Sequence, residues 1–298
     1  MHDAGQDVQP DARRRGRTPQ WWRPGHPARK AAPRATGADG EHRRLLADVG
    51  HELKLPLSIV LALCTRLETA GRLEGDDAED VARIRANAYS MLRRVQDLML
   101  MARLESPEQQ LEAAVIDVAA VVRGCLDGFA GVAAERGLAL EVAVPDGLRA
   151  MADEEKVVSL VSNLVANAIR HARPGGTVRC SVTAASGLMT LEVADDGPGV
   201  APDQREAIFE RYRRGTRSSG TGLGLAIVSE IAALHGGSVA VGDAPEGGAL
   251  FTVELPLRTA HAASATTPDP PRSLALADRQ RPIVEELRSE LDSAPGRA

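Results

Sequence analysis

The sequence predicts an α plus α/β chain, in which a helical hairpin forming a dimeric four-helix bundle is followed by an α/β sandwich. Three observations lead there. Residues 41–72 carry Leu46, Val49, Leu53, Pro56, Val60, Leu63 and Leu67 at alternating spacings of three and four, and residues 77–104 repeat the pattern with Val81, Ile84, Ala88, Met91, Val95, Leu98 and Ala102. That is the seam spacing of a coiled coil. Between the two segments lie Gly71, Gly75 and the cap candidate Asp76, which stop one helix and start the next. From residue 117 the period changes, and helical stretches alternate with short runs of strand-like alternation.

Each element follows from its residues. A single hairpin leaves its apolar stripe half covered, so two copies are expected to pair as a homodimer. Residues 106–116 read as a linker. Helices are expected over 117–135, 154–172 and 221–234, and strands over 138–144, 177–183, 188–193, 238–241 and 249–255, with Ser186-Gly187 turning a hairpin. Residues 1–40 lack periodicity and are rich in Arg, Pro, Gly and Ala, the composition of a disordered basic arm. Trp21 and Trp22 would let the arm touch an anionic surface, but charge-rich arms are ordinarily solvated. Residues 259–298 read as a disordered tail that ends in a charged segment, Arg281 to Asp292, a candidate short helix.

Composition narrows the function classes. The net charge of -5 gives no case for nucleic-acid binding. Cys64, Cys125 and Cys180 have neither an even count nor metal-ligand spacing, which fits reduced structural thiols. No run approaches the roughly 18 apolar residues of a membrane span. A cytoplasmic chain is expected, peripheral to the membrane at most.

Four clusters carry chemistry. His51, in His-Glu-Leu-Lys-Leu-Pro-Leu, falls on the side of its helix away from the seam, where an exposed imidazole is largely neutral at pH 7 and nucleophilic. Glu52 beside it is placed to orient the ring or take its proton. On the helix 154–172, Asn163, Asn167 and either Arg170 or His171 share one face, opposite Val157, Leu160, Val161, Leu164 and Ala168. Amides there suit an oxygen-seeking Mg2+, and Arg170 suits a phosphate. Asp195-Asp196-Gly197-Pro198-Gly199 follows a strand, so a carboxylate and a close backbone approach are offered together. Finally Gly220-Thr221-Gly222-Leu223-Gly224 opens a helix, where free N–H groups and the helix dipole favour a phosphate. It follows a loop bearing Arg211, Arg213, Arg214 and Arg217.

In this order, and with Ile208-Phe209-Glu210-Arg211-Tyr212 between the last two, these clusters resemble the H, N, G1, F and G2 boxes of the two-component sensor histidine kinases, over about residues 41–257. The resemblance implies a dimerisation and phosphoacceptor hairpin over 41–105 and a GHKL-type ATP-binding domain over 117–258. It implies ATP and Mg2+ as cofactors, His51 as phosphoacceptor and Glu52 as general base. Asn167 is then the Mg2+ ligand, supported by Asn163, while Arg170 and His171 contact phosphate or ribose. Asp195 holds the adenine amino group, and Gly197, Gly199, Gly220, Thr221, Gly222, Leu223 and Gly224 shape the nucleotide loops. The implied partner is a response regulator's receiver domain. Two departures stand out. Leu55 replaces the Thr or Asn the family usually has four residues after the His, a side chain that positions water for removing the partner's phosphate. No sensor region precedes the hairpin, so either a separate sensory partner supplies the signal or the chain lacks its natural N-terminal part.

Overall fold

The computed structural model describes residues 37–70, 74–104, 110–213, 222–245, 247–257 and 273–292, with side chains in the first helix from Gly50 on, His51 excepted. The chain divides into two units, residues 1–40 and 41–298, and all packing below lies within the second. Residues 1–36 of the expected basic arm lie outside the described residues, and residues 37–40 belong to the first helix.

Two long helices, α1 (Gly37–Thr69) and α2 (Asp76–Leu104), form the hairpin. The helix continues through Pro56, although proline leaves the Glu52 carbonyl without its helical partner. An ion pair, Arg85 Nη1 to Glu68 Oε2 at 2.9 Å, ties the helices near the turn. At the other end they touch: a Cβ on Gly50 would lie 2.4 Å from Met99 Cγ, so only glycine permits this approach beside His51. Cys64 is buried. Leu53, Leu63 and Leu67, part of the expected seam, instead lie exposed, as do Ile84 and Met91 on α2. The smaller flank with Gly50 and Cys64 packs within the chain, and the larger apolar flank stays uncovered.

The second domain begins earlier than the sequence indicates. β1 (Ala114–Asp117) pairs with β3 (Arg149–Ala152), so the last residues of the expected 106–116 linker are strand. Asp117 caps α3 (Val118–Glu135) by accepting from Ala120 N at 3.0 Å, and Asp153 caps α4 (Glu154–His171) through Lys156 N at 3.2 Å. β2 (Ala139–Ala143), β4 (Thr177–Ala185), β5 (Leu188–Asp195), β6 (Ser238–Asp243) and β7 (Ala249–Pro256) form a five-stranded sheet in the order β2-β4-β5-β7-β6. Only β2 and β4 are parallel; the other neighbours are antiparallel. Alternate residues Val178, Cys180 and Val182, Met189, Leu191 and Val193, and Phe251, Val253 and Leu255 are buried. α3, α4 and α5 (Gly224–Leu234) cover that face, with Phe129, Leu164, Ile169, Ile227 and Ile231 filling the core. Cys125 and Cys180 are fully buried, and desolvation pushes both thiols up to about 12, as structural cysteines should behave.

The tail is more ordered than expected: within 259–298, residues Ser273–Asp292 form a helix, α6, which starts before the candidate short helix at Arg281 and packs on α2, α3 and α4. Leu276, Ile283 and Leu287 supply the reason: they share one helix face and are buried, each contributing roughly 1.5–3 kcal/mol. α3 is shaped to receive them. A Cβ on Gly124 would sit 2.6 Å from Leu276 Cδ2, and one on Gly128 would sit 2.4 Å from Gln280 Oε1. Interior helical glycines weaken a helix by about 1 kcal/mol each relative to Ala, and here they open the groove that α6 fills.

Candidate active site

Of the expected site residues, the described ones on α4, in the loop after β5 and at the N-terminal end of α5 lie on elements that meet, whereas His51 and Glu52 lie on α1. The strand β5 sets the key carboxylate. Its inward positions run Met189, Leu191, Val193, so Asp195 occupies the next core-facing position and Asp196 the opposite face. Asp195 is buried; its Oδ1 accepts from Gly197 N at 2.9 Å and from Ala249 N at 3.3 Å. Its Oδ2 is buried with no partner. Desolvation raises its pKa, against the two backbone N–H groups that lower it. A buried acceptor left open at the floor of a site is matched to a donor brought by a ligand. Asp196 serves the fold instead. It accepts from Arg173 N at 3.0 Å and Thr177 N at 3.3 Å, closing the turn between α4 and β4.

The glycines act by absence. A Cβ on Gly197 would lie 2.4 Å from the His171 carbonyl oxygen, so the loop crosses the end of α4 in direct backbone contact. Gly199 has φ +72° and Gly222 φ +71°, conformations that side chains resist. Tyr212 N donates to Gly222 O at 3.0 Å, pinning together the two ends of the basic loop. A Cβ on Gly224 would lie 2.7 Å from Asn163 Oδ1, which places the start of α5 against α4. Leu223 is buried beneath it. Gly220 and Thr221 lie outside the described residues, as do Arg214 and Arg217.

On α4, Asn163 is buried and Asn167, Arg170 and His171 are half-buried on the expected face. Asn163 Nδ2 donates to Ser159 O at 2.8 Å, while Asn163 Oδ1 accepts from Arg93 Nη2 of α2 at 2.6 Å. Arg170 Nε donates to Glu290 Oε2 of α6 at 2.7 Å. Desolvation, then the charge of Arg170, lowers the His171 pKa, which favours a neutral imidazole. Arg136 donates to the Ile169 and Ala172 carbonyls at the end of α4, a cation placed against the helix dipole. On α1, Glu52 and Leu55 are exposed, and His51 lies in the helix with its side chain outside the described part.

Sequence reasoning missed three residues that shape this site. Arg93 and Glu290 carry no local signal, since their partners lie on other elements. Gly248 had one: a Gly-Gly pair before β7. Its φ is +87°, and a Cβ there would meet the Asp195 carbonyl oxygen at 2.0 Å.

Comparison with known proteins decides the family. Residues 41–107 match the His Kinase A (phospho-acceptor) domain, and residues 152–259 match the Histidine kinase-, DNA gyrase B-, and HSP90-like ATPase family. The chain belongs to the two-component sensor histidine kinases. Sensor histidine kinase TmoS of Ectopseudomonas mendocina is 33% identical over 239 residues, covering 78% of this chain and 25% of that relative. Signal transduction histidine-protein kinase AfsQ2 of Streptomyces coelicolor is 33% identical over 235 residues, covering 74% and 43%. Among solved structures, full-length ShkA in complex with AMPPNP superposes with a TM-score of 0.63 at 34% identity, over 74% of this chain and 47% of that one. This chain therefore spans between a quarter and about half the length of these relatives. Among the described residues, no helix is long and apolar enough to cross a membrane.

Proposed function

We propose that this chain is an ATP-dependent protein histidine kinase, which phosphorylates its own His51 and passes the phosphoryl group to an aspartate on a response regulator's receiver domain. The observation that carries the reading is the orphaned Asp195 Oδ2, a buried acceptor awaiting an adenine amino group, on the same chain as a phosphoacceptor hairpin. Gly197 and Gly199 let the backbone close on the base, and the start of α5 at Gly222 to Gly224 directs N–H groups toward phosphate. Arg170 and His171, at the end of α4, are the groups offered to phosphate or ribose. Asn167 would hold Mg2+ together with phosphate oxygens and water, the mixed oxygen shell this ion prefers; when bound, the ion neutralises charge on the phosphates. His51 attacks the γ-phosphorus in line through a neutral ring nitrogen, Glu52 takes the ring proton, and ADP leaves with the bridging oxygen's electrons. Positioning supplies most of the acceleration. The exposed stripe of Leu53, Leu63 and Leu67 supports a homodimer, in which two hairpins cover each other.

The test is incubation with γ-labelled ATP and Mg2+ beside His51→Ala and Asn167→Ala. Acid-labile, base-stable label that disappears in both variants is the expected result. Acid-stable label persisting in His51→Ala would instead indicate a serine-directed kinase.

A second expectation concerns Leu55, which is 67% exposed one turn beyond His51 and offers no hydrogen-bonding group. With no side chain to orient water, the wild-type protein should remove phosphate from its partner's aspartate slowly while retaining kinase activity. Leu55→Thr should accelerate that dephosphorylation by about tenfold, the worth of one hydrogen bond. Rapid wild-type dephosphorylation that depends on residue 55 would overturn the idea.

A further inference from the structure

The kinase reading leaves α6 unexplained. It is a C-terminal helix beyond the ATP-binding fold, yet it reaches two of the residues that the site needs. Glu290 holds Arg170 at 2.7 Å, and the pair is largely sheltered, with side chains 20% and 12% exposed. Glu286 lies 4.0 Å from Arg93, which is also paired with Asp97 at 3.1 Å and donates to Asn163 at 2.6 Å. Arg281 stacks over Tyr89 of α2 at 6.0 Å. On the other side Arg288 pairs with Glu135 of α3 at 2.9 Å, and Arg279 with Glu155 of α4 at 2.9 Å. One helix thus fastens the hairpin to the ATP-binding domain and takes up the cation at the end of α4.

The seat is specific. A Cβ on Gly124 or Gly128 would meet the ends of the Leu276 and Gln280 side chains, and Gln280 Nε2 reaches Ser162 Oγ at 2.8 Å and the Cys125 carbonyl at 3.2 Å. The seat is also held under tension. Gln280 Oε1 and Glu286 Oε1 are buried with no partner, and burial pushes the Glu286 carboxyl up to about 7. A docked helix with unmatched polar groups is one that a competing ligand can displace.

We propose that α6 is an autoinhibitory clamp: docked, its carboxylates compete with the nucleotide's phosphates for Arg170 and, through Arg93, hold Asn163, so that ATP binding and His51 phosphorylation require α6 to leave. The proposal rests on the kinase reading. Carboxylate and polyphosphate recognise the same guanidinium fork, and only one can have it. Neighbouring carboxylates also repel an incoming polyanion. Release would also remove one of the ties between α2 and the ATP-binding domain, leaving Arg93 and the packing of α2 on α5 as the others.

The experiment uses the full chain and three readouts: ADP affinity by calorimetry, the rate of acid-labile labelling by γ-labelled ATP, and amide hydrogen exchange across 273–292. Glu286→Gln combined with Glu290→Gln removes the charges and keeps the apolar anchors. Gly128→Leu fills the groove without touching the nucleotide residues. Both should speed exchange in α6 and raise affinity and labelling by about tenfold or more, since a charge-assisted bond no longer has to be broken first. In the wild type, saturating ATP and Mg2+ should lower α6 protection. Fast exchange in the variants with affinity unchanged or reduced would overturn the clamp, as would wild-type α6 protection indifferent to nucleotide. If every form binds ADP but none takes acid-labile label, the kinase reading fails, and the clamp is judged on affinity and exchange alone.

Discussion

Asp195→Asn should lower nucleotide affinity by about a hundredfold or more while leaving the fold intact. The amide oxygen can still accept from Gly197 N and Ala249 N, as Oδ1 does now. The amide nitrogen then takes the place of the unpartnered Oδ2 and presents a donor where an adenine amino group also presents one. Two buried donors facing each other lose about 1–3 kcal/mol apiece, and 1.4 kcal/mol is tenfold in affinity. Stability should move the other way. The Asp195 pKa is raised above its ordinary value, so in the absence of ligand its contribution is complete at low pH and is lost as pH rises through the folded value. Asn removes that loss, so the melting temperature at pH 8 should hold or rise. Calorimetric titration with ADP and a thermal melt of the same samples check both halves. Unchanged affinity would remove Asp195 from the site.

How much of this was legible in the residues follows from where each signal lies. The spacing of Val157, Leu160, Val161 and Leu164 fixes which side of α4 is core, and therefore which side carries Asn163, Asn167 and Arg170. Strict alternation along β5 places Asp195 inward and Asp196 outward, although the two are adjacent and chemically identical. The strand β3 was illegible because Arg149–Ala152 lacks the β-branched residues that mark a strand, and β1, although it has Val115 and Ile116, is only four residues long. The charged segment Arg281 to Asp292 read as a short helix, but the first half of α6 and its docking were hidden differently. Its apolar anchors are three among many charges, Pro282 interrupts the pattern, and the groove that makes them sufficient is written on α3 as glycines, which read locally as helix weakeners. The seam of α1 is legible, but its partner is not: in the chain itself, Gly50 and Cys64 face α2, and Leu53, Leu63 and Leu67 wait for another surface. Contacts between elements distant in sequence, such as Arg93 with Asn163, leave no periodic trace at all.

Gly248→Ala should disable the site from 53 residues beyond Asp195, and it should do so through backbone alone. Gly248 has φ +87°, where an alanine costs about 1–2 kcal/mol. Its Cβ would fall 2.0 Å from the Asp195 carbonyl oxygen and 2.7 Å from Gly197 N, neither of which is the end of a flexible side chain. β5 and β7 are paired there, Ala194 with Leu250, so the strain cannot be relieved without parting the strands at the mouth of the site. Overpacking of this kind adds about 1–3 kcal/mol, and a melting temperature lower by roughly 5–15 °C follows for a domain of this size. Because Asp195 Oδ1 is held by Ala249 N, the residue beside the substitution, the carboxylate should shift with the strand. Nucleotide affinity should therefore fall even at temperatures where the variant remains folded. Ala in place of Gly187, whose φ is +78° with no atom near its absent Cβ, carries the conformational strain without the collision. It should lower the melting temperature by a few degrees at most and leave ADP binding unchanged, so the difference between the two variants isolates the contact with Asp195.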